Sequence, residues 1–406
     1  MMNIIDVSVG AILGQVIASL IKVSKSALVQ YRHKKIIHLQ KIAMNTPHNT
    51  EWLLSYYKLN NRESDLYDCR IGKYEIKIPF LTKKEWCFFQ KIDLNNGSDN
   101  PLIIFSDANN NFPISHAIIN RRKESGNVIL SDSPCIYLDR VETDGKQNKI
   151  SFHVKPCTYY QVFSNMVQLE NETFNAIKVN RYTNTPCRDN YISSVSQAEL
   201  LKIKPFGLGC AVLLALQTKD GYELLIHERA DNIATYPKAI AVIPNFGMEP
   251  ISGHQFQTLR HNELLLNNFL REYVEEIFNY EDLVTQAASK KINPFWFYEN
   301  IEEARIMLDA IRNDTLHFVF LGFGFDCLNG VPIVSFLGLV NDQKAINSIK
   351  ENSEANWEGK SIDLIDTSRN YYLLEKWLQE QKYHPGAAFT ISRAQSYLEG
   401  SIRGVN

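Results

Sequence analysis

Apolar and polar positions fall along the chain in three textures. From Val7 to Ile21 no residue is charged, and Val9, Ile12, Leu13, Val16, Ile17, Leu20 and Ile21 recur at helical intervals while Ser8, Gln15, Ser19, Lys22 and Ser26 fall on another face. That spacing predicts an amphipathic helix. Gly10, Gly14 and Ala18 add a row of small residues that lets a second helix approach closely. The run is short of the ~20 apolar residues needed to cross a bilayer. Asp6 stands where a signal peptide would carry basic residues. Lys22, Lys25, Arg32, Lys34, Lys35 and Lys41 follow, with no acid between Asp6 and Glu51. A basic amphipathic segment over residues 1–45 can dock on the rest of the chain, self-associate into a homo-oligomer, or make peripheral contact with an anionic membrane. All three readings stand at this level.

From Glu51 to Leu200 the pattern changes to short β-rich runs broken by turn residues. Tyr74–Ile78, Leu102–Phe105, Val128–Leu130 and Ile150–Val154 read as strands, with Asn95–Asn100 and Asp107–Asn111 as loops between them. A β-rich accessory unit over residues 50–200 is therefore expected. His116 and His153 have no neighbours at metal-ligand spacing and read as structural.

Beyond Gly207 the elements lengthen. Ala211–Leu216 reads as a buried strand, followed by a turn at Thr218–Gly221 and a second strand, Glu223–His227, that ends in Glu228 and Arg229. Ala239–Ile243 forms a third strand and runs into a Pro- and Gly-punctuated loop, Pro244–Pro250. A helix is predicted from about Glu263 to Phe278, with Leu266, Leu270, Tyr273, Val274 and Ile277 on its apolar face.

Composition narrows the class. The 406 residues carry 43 Lys+Arg against 45 Asp+Glu and are 45% hydrophobic, values that exclude wholesale disorder and a polytopic membrane protein. Near-neutral net charge gives no reason to expect nucleic acid as a partner. The seven cysteines are scattered and never form a Cys-x-x-Cys pair, so neither a disulfide framework nor a zinc knuckle is indicated. Reduced thiols fit a cytoplasmic setting, with membrane association through the first helix as the variant of that expectation.

The predicted helix from Glu263 carries the strongest chemical signal. Glu272, Glu275 and Glu276 lie at i, i+3 and i+4, which places three carboxylates on one face. Carboxylates so close repel one another away from bulk water, and a hard divalent cation relieves that repulsion. A solvated acidic face is the competing account. Arg271 can reach Glu275 at i+4.

Arg271-Glu272-Tyr273-Val274-Glu275-Glu276 resembles the central block of the Nudix signature, Arg-Glu-U-x-Glu-Glu, with Tyr273 at the bulky U position. Glu263 stands at the spacing that pattern asks, and Ile243–Glu249 is similar to the family's Pro-Gly-Gly loop. Arg229 and Tyr236-Pro237 match an Arg after the second strand and an aromatic-Pro step before the third. The chain departs from the pattern at Asn245 and Phe246, which replace two glycines, and after the glutamates, where Ile277-Phe278-Asn279 lacks the terminal glycine and Asn279 can still close the helix. Asn tolerates the left-handed conformation that such a stop requires. The resemblance covers residues 205–400. It implies an α/β fold whose C-terminal Nudix-like αβα sandwich with a mixed sheet follows the β-rich unit and the N-terminal helix.

The resemblance also implies chemistry: Mg²⁺ (or Mn²⁺) held by Glu272, Glu275 and Glu276, oriented by Arg271, assisting hydrolysis of a nucleoside diphosphate linked to another group. Arg229 is the implied phosphate contact. The family places its general base variably, sometimes in a later loop, and Glu354 and Glu358, flanking Asn356-Trp357, lie in such a loop, with a plain exposed loop acid as the favoured account of each. The alternative is a nucleotide-sensing module of the same fold that binds without efficient cleavage and controls an oligomerising or membrane-associating N-terminal segment.

Overall fold

The computed structural model describes residues 45–95, 102–106, 112–124, 131–144, 148–200, 205–231, 233, 235–251, 262–280, 283, 293–367 and 371–402. The helix and basic cluster expected over residues 1–45 lie outside the described residues, apart from residue 45, and so does the strand expected at 128–130.

Helix α1 (Thr46–Leu59) starts where the Asn45 side chain accepts the His48 backbone N–H at 3.2 Å. Strands β1 (Leu66–Ile71), β2 (Tyr74–Leu81), β3 (Gln90–Ile92) and β4 (Ile103–Phe105) follow, then α2 (His116–Glu124) and the hairpin of β5 (Pro134–Asp144) and β6 (Lys149–Thr158). The unit expected to be β-rich over residues 50–200 also carries helices. Helix α3 (Tyr159–Lys178) runs for 20 residues, and α4 (Pro186–Tyr191) and α5 (Val195–Leu200) complete the N-terminal half. Val162, Phe163, Val167, Phe174 and Ile177 recur at helical spacing on its buried side. Glu170 and Thr173, also buried on this helix, interrupt that apolar stripe.

Strands β7 (Gly209–Gln217), β8 (Tyr222–Arg229) and β9 (Ile240–Val242) match the sequence reading. The Pro- and Gly-rich segment after them is partly strand, β10 (Asn245–Gly247), paired antiparallel with β7. The glutamate helix is α6 (Glu263–Ile277). Asn279 adopts φ 55 just beyond it, the left-handed stop anticipated from its side chain. Helices α7 (Phe297–Asn300) and α8 (Glu302–Arg312), strands β11 (Leu316–Asp326) and β12 (Pro332–Val340), α9 (Gln343–Asn352), β13 (Gly359–Asp366), α10 (Tyr371–Gln379) and α11 (Pro385–Ile402) complete the described chain.

Ten strands form one mixed sheet in the order β1-β2-β11-β12-β7-β8-β13, with β3 on β11, β9 on β8 and β10 on β7. The β12–β7 pair is parallel and its neighbours are antiparallel. Alternation along β7 divides the core. Cys210, Val212, Leu214 and Leu216 join a cluster with α6, α8 and α9, whereas Ala211, Leu213 and Ala215 join one with α10 and α11. Helices therefore cover both faces, an αβα arrangement. A second sheet, β4-β6-β5, leans on the first, because the Ile136 N–H donates to Met248 O and the Leu208 N–H to Ile136 O, both at 3.1 Å.

The expected boundary near residue 200 does not separate two cores. β2 and β3 hydrogen-bond to β11, and Trp52, Tyr57, Phe152 and Phe174 belong to the same apolar cluster as α6. The β11–β12 turn shows how close the halves come: Gly330 has φ 78, and a Cβ there would meet the Leu169 side chain of α3 at 2.9 Å. Among the described residues, no helix is long and apolar enough to cross a membrane.

Candidate functional site

The apolar stripe of α6 turns Tyr273, Val274 and Ile277 into the core, so its polar side faces the space between β7, β10 and the N-terminal half. A cavity of about 290 Å³ lies there. Glu249, Glu272, Glu276, Glu358 and Arg229 line it together with Cys135, Tyr159, Val162, Phe163 and Met166. Thr235, Asn329 and His384 add polar atoms.

Arg271 organises the carboxylates from behind. It is 6% exposed, and its Nη2 stands 2.7 Å from Glu272 Oε1 and 3.5 Å from Glu249 Oε2, while Nη1 donates to Glu275 Oε2 at 3.3 Å. Asn268 locks the approach of the β10 exit loop to the helix: its Oδ1 accepts the Glu249 N–H and its Nδ2 donates to Glu249 O, each at 2.9 Å. Glu276, 4% exposed, accepts the Asn245 N–H at 2.9 Å.

The electrostatics are those of too many acids in too little water. Burial raises the Glu272 carboxyl well above its ordinary value; Arg271 opposes this, and Glu275, Glu276 and Glu249 add to it. Burial likewise raises Glu276, with Glu358 as the largest charged contributor and the Asn245 N–H and Arg229 opposing. Glu358 is raised by burial against the pull of Arg229. Burial lowers Arg229 itself, whose Nε has no hydrogen-bond partner among the described residues. His384 is pushed down to about 3 by burial, then by Arg229 and His227, so it is neutral at pH 7.

The structure brings together part of the set expected from sequence. Glu272, Glu276 and Arg229 line the cavity, and Arg271 supports them. Glu275 does not line it: one oxygen meets Arg271 and the other accepts the Leu283 N–H at 2.6 Å. Of the two loop acids, Glu358 lines the cavity, whereas Glu354 is exposed and pairs its backbone with Phe278 at the end of α6. Phe246, where a glycine was expected, is 5% exposed and also lines the cavity.

Sequence reasoning missed Glu249 and the whole wall formed by α3. Glu249 had a local signal, since it follows the Gly247-Met248 step on the loop leading toward α6. Tyr159 and Met166 had none, because nothing in their own stretch points toward residues 272 or 358.

Among the described residues, no group of three or more His, Cys, Asp or Glu is placed to hold a metal ion. The donor chemistry of Glu272 and Glu276 nevertheless fits a hard divalent cation. Both are carboxylates that burial and neighbouring charge drive toward protonation, so positive charge beside them is favourable. Mg²⁺ is commonly held by one or two carboxylates, with water and substrate phosphate completing its shell.

No protein-family model matches the chain, and no curated protein matches it. Among solved structures, the chain is similar to the crystal structure of a C. elegans Ap4A hydrolase binary complex, at 12% identity and a TM-score of 0.23, over 48% of this chain and 98% of that one.

Proposed function

We propose that this cavity binds a nucleoside diphosphate linked to another group and, with Mg²⁺ or Mn²⁺, hydrolyses its phosphoanhydride. One observation carries the reading: Glu272 and Glu276, one helical turn apart, enter a cavity that also holds Arg229 and Glu358. Glu272 and Glu276 would hold the metal. When bound, it would neutralise diphosphate charge and make a water more acidic. Arg271 holds Glu272 in place by their 2.7 Å contact, and Arg229, which lines the cavity, would meet a phosphate oxygen. Glu249 and Glu358 are the remaining acids of the cavity; Glu249 stands 3.5 Å from Arg271, and Glu358, its carboxyl raised by burial, would take a proton from the attacking water.

The test is chromatographic detection of the two phosphorylated products of phosphoanhydride cleavage from a panel of ADP-ribose, NAD, dinucleoside polyphosphates and nucleoside triphosphates, with each metal. Glu276→Gln is expected to lower turnover by at least ~100-fold while leaving the unfolding transition in place. Unchanged turnover in that variant refutes the assignment.

A specific feature favours a second reading, in which the cavity senses a nucleotide without cleaving it. Glu275 has both oxygens engaged away from the cavity, and Glu276 already accepts the Asn245 N–H. Tight nucleotide binding with no product across the panel supports the sensor. The N-terminal segment that such a sensor would control, by self-association or membrane contact, is tested by flotation with anionic liposomes and by sedimentation, with and without residues 1–42.

A further inference from the structure

We propose that Cys135 and Cys157 form a redox-active pair, which a hydroperoxide entering the cavity oxidises reversibly to a disulfide. All seven cysteines are free thiols in the structure, and strand register sets these two apart. Cys135 of β5 stands directly opposite Cys157 of β6, whereas Cys69 faces Ile76 and Cys210 faces Phe246 and Val334. Directly opposed residues share a sheet face. Both side chains, each 7% exposed, pack into one small cluster with Tyr137 and Val162.

Backbone pairing fixes their spacing. The Ile136 N–H donates to Met248 O and Ile136 O accepts the Leu208 N–H, both at 3.1 Å, so this residue turns its polar groups away from β6. Pro156, opposite it, has no N–H to offer. The alternation of an antiparallel ladder makes Cys135 and Cys157, one step along, a hydrogen-bonded pair with Cα atoms about 5.5 Å apart. That separation lies inside the range disulfides span, but the Cβ atoms of such a pair start wider than the ~3.8 Å a bridge prefers. A bond formed there is readily reduced, as a switch requires and a permanent staple does not. The Cys157 thiol is hydrogen-bonded to Cys135, which together with burial raises it above its ordinary value. Cys157 therefore stays protonated while Cys135, which lines the cavity, meets the oxidant.

Hydrogen peroxide supplies the oxidising equivalents. The Cys135 sulfur, as thiolate, attacks one peroxide oxygen; the O–O bond breaks, the departing hydroxide takes up the thiol proton as water, and a sulfenic acid remains. The Cys157 sulfur then attacks that sulfenic sulfur. The S–O bond breaks, the second oxygen leaves as water with the Cys157 proton, and the S–S bond forms. Two thiols lose two electrons, and one peroxide becomes two waters. A dithiol reverses the bond by exchange. Neither nucleotide nor metal takes part, so the pair stands or falls apart from the hydrolase reading.

The full-length protein is treated with hydrogen peroxide, freed of it, alkylated in denaturant and digested without reduction for mass spectrometry. It should lose two of its seven thiols, gain a peptide linking residues 135 and 157, remain a single chain on a non-reducing gel, and regain both thiols in dithiothreitol. Cys157→Ser should carry its oxidation at Cys135, as a sulfenic acid trapped by dimedone. Cys135→Ser should leave Cys157 reduced at the same peroxide dose. Circular dichroism confirms that the oxidised parent and both variants are folded. Survival of all seven thiols, a link between other cysteines, a bridge between two chains, a bond that dithiothreitol leaves intact, or dimedone on Cys157 in Cys135→Ser each overturns the pair.

Discussion

The carboxylates of the cavity make opposite demands on the empty and the filled protein. Glu272, Glu276 and Glu358 are all raised in the folded state, chiefly by burial. A carboxyl raised on folding contributes stability that is fully present below its unfolded value, near 4.5, and is lost as pH rises through the folded value. Asp326, fully buried and raised to about 7, acts in the same direction. With chelator present, the melting temperature is therefore expected to fall as pH rises from about 5 to about 8. Mg²⁺ should recover more of that loss at the upper end, because a cation prefers the ionised acids. In Glu272→Gln/Glu276→Gln the metal effect should vanish while the Asp326 contribution remains. A melting temperature indifferent to Mg²⁺ at every pH would contradict the cation assignment.

Between elements, one buried arginine does much of the joining. Arg188 of α4 is fully buried; it donates to Cys327 O, to Thr173 Oγ1 at 2.6 Å and to Leu328 O at 3.2 Å, and its guanidinium stands 5.6 Å from the Tyr56 ring centre. It therefore binds α1, α3 and α4 to the β11–β12 turn, whose Asn329 lines the cavity. Substitution leaves three acceptors without a partner in a dry interior, and each such acceptor is expensive. Arg188→Met should cost about 3 kcal/mol or more in urea unfolding, with weaker nucleotide binding in step. A change within about 0.5 kcal/mol of the parent would show that the turn holds without it. The helix α3 that receives this contact escaped the sequence reading because strand-like runs on either side dominated the pattern. Its own apolar spacing, Val162 through Ile177, was legible in principle.

For the whole molecule, the large sheet crosses the midpoint of the chain. β2 and β3 pair with β11, and one apolar cluster takes residues from α1, β6, α3 and α6 together. Residues 205–402 expressed alone would expose the partners of Leu81, Ile92 and Phe152, so they are expected to lack a cooperative thermal transition that the full chain shows. A sharp transition in the fragment, near the melting temperature of the full chain, would restore the boundary that the pattern of strand-like runs suggested at residue 200. The same crossing brings Tyr159 and Cys135 to the cavity that Glu272 and Glu276 line.

Local periodicity determined the strands β7 and β8, the span of α6, its division into an apolar and an acidic side, and the left-handed stop at Asn279, since each depends on residues within a few positions of one another. Tertiary structure alone decided which acids share the cavity. Glu358 enters and Glu354, four residues earlier, does not, because β13 pairs with β8 and carries the Trp357–Glu358 turn toward Arg229. Glu275 is diverted by the Leu283 N–H, and α3 contributes Tyr159, Val162, Phe163 and Met166 to the cavity lining. The Glu275–Leu283 contact spans eight positions, but the others depend on strand register and on residues a hundred or more positions apart, which no spacing along the chain encodes.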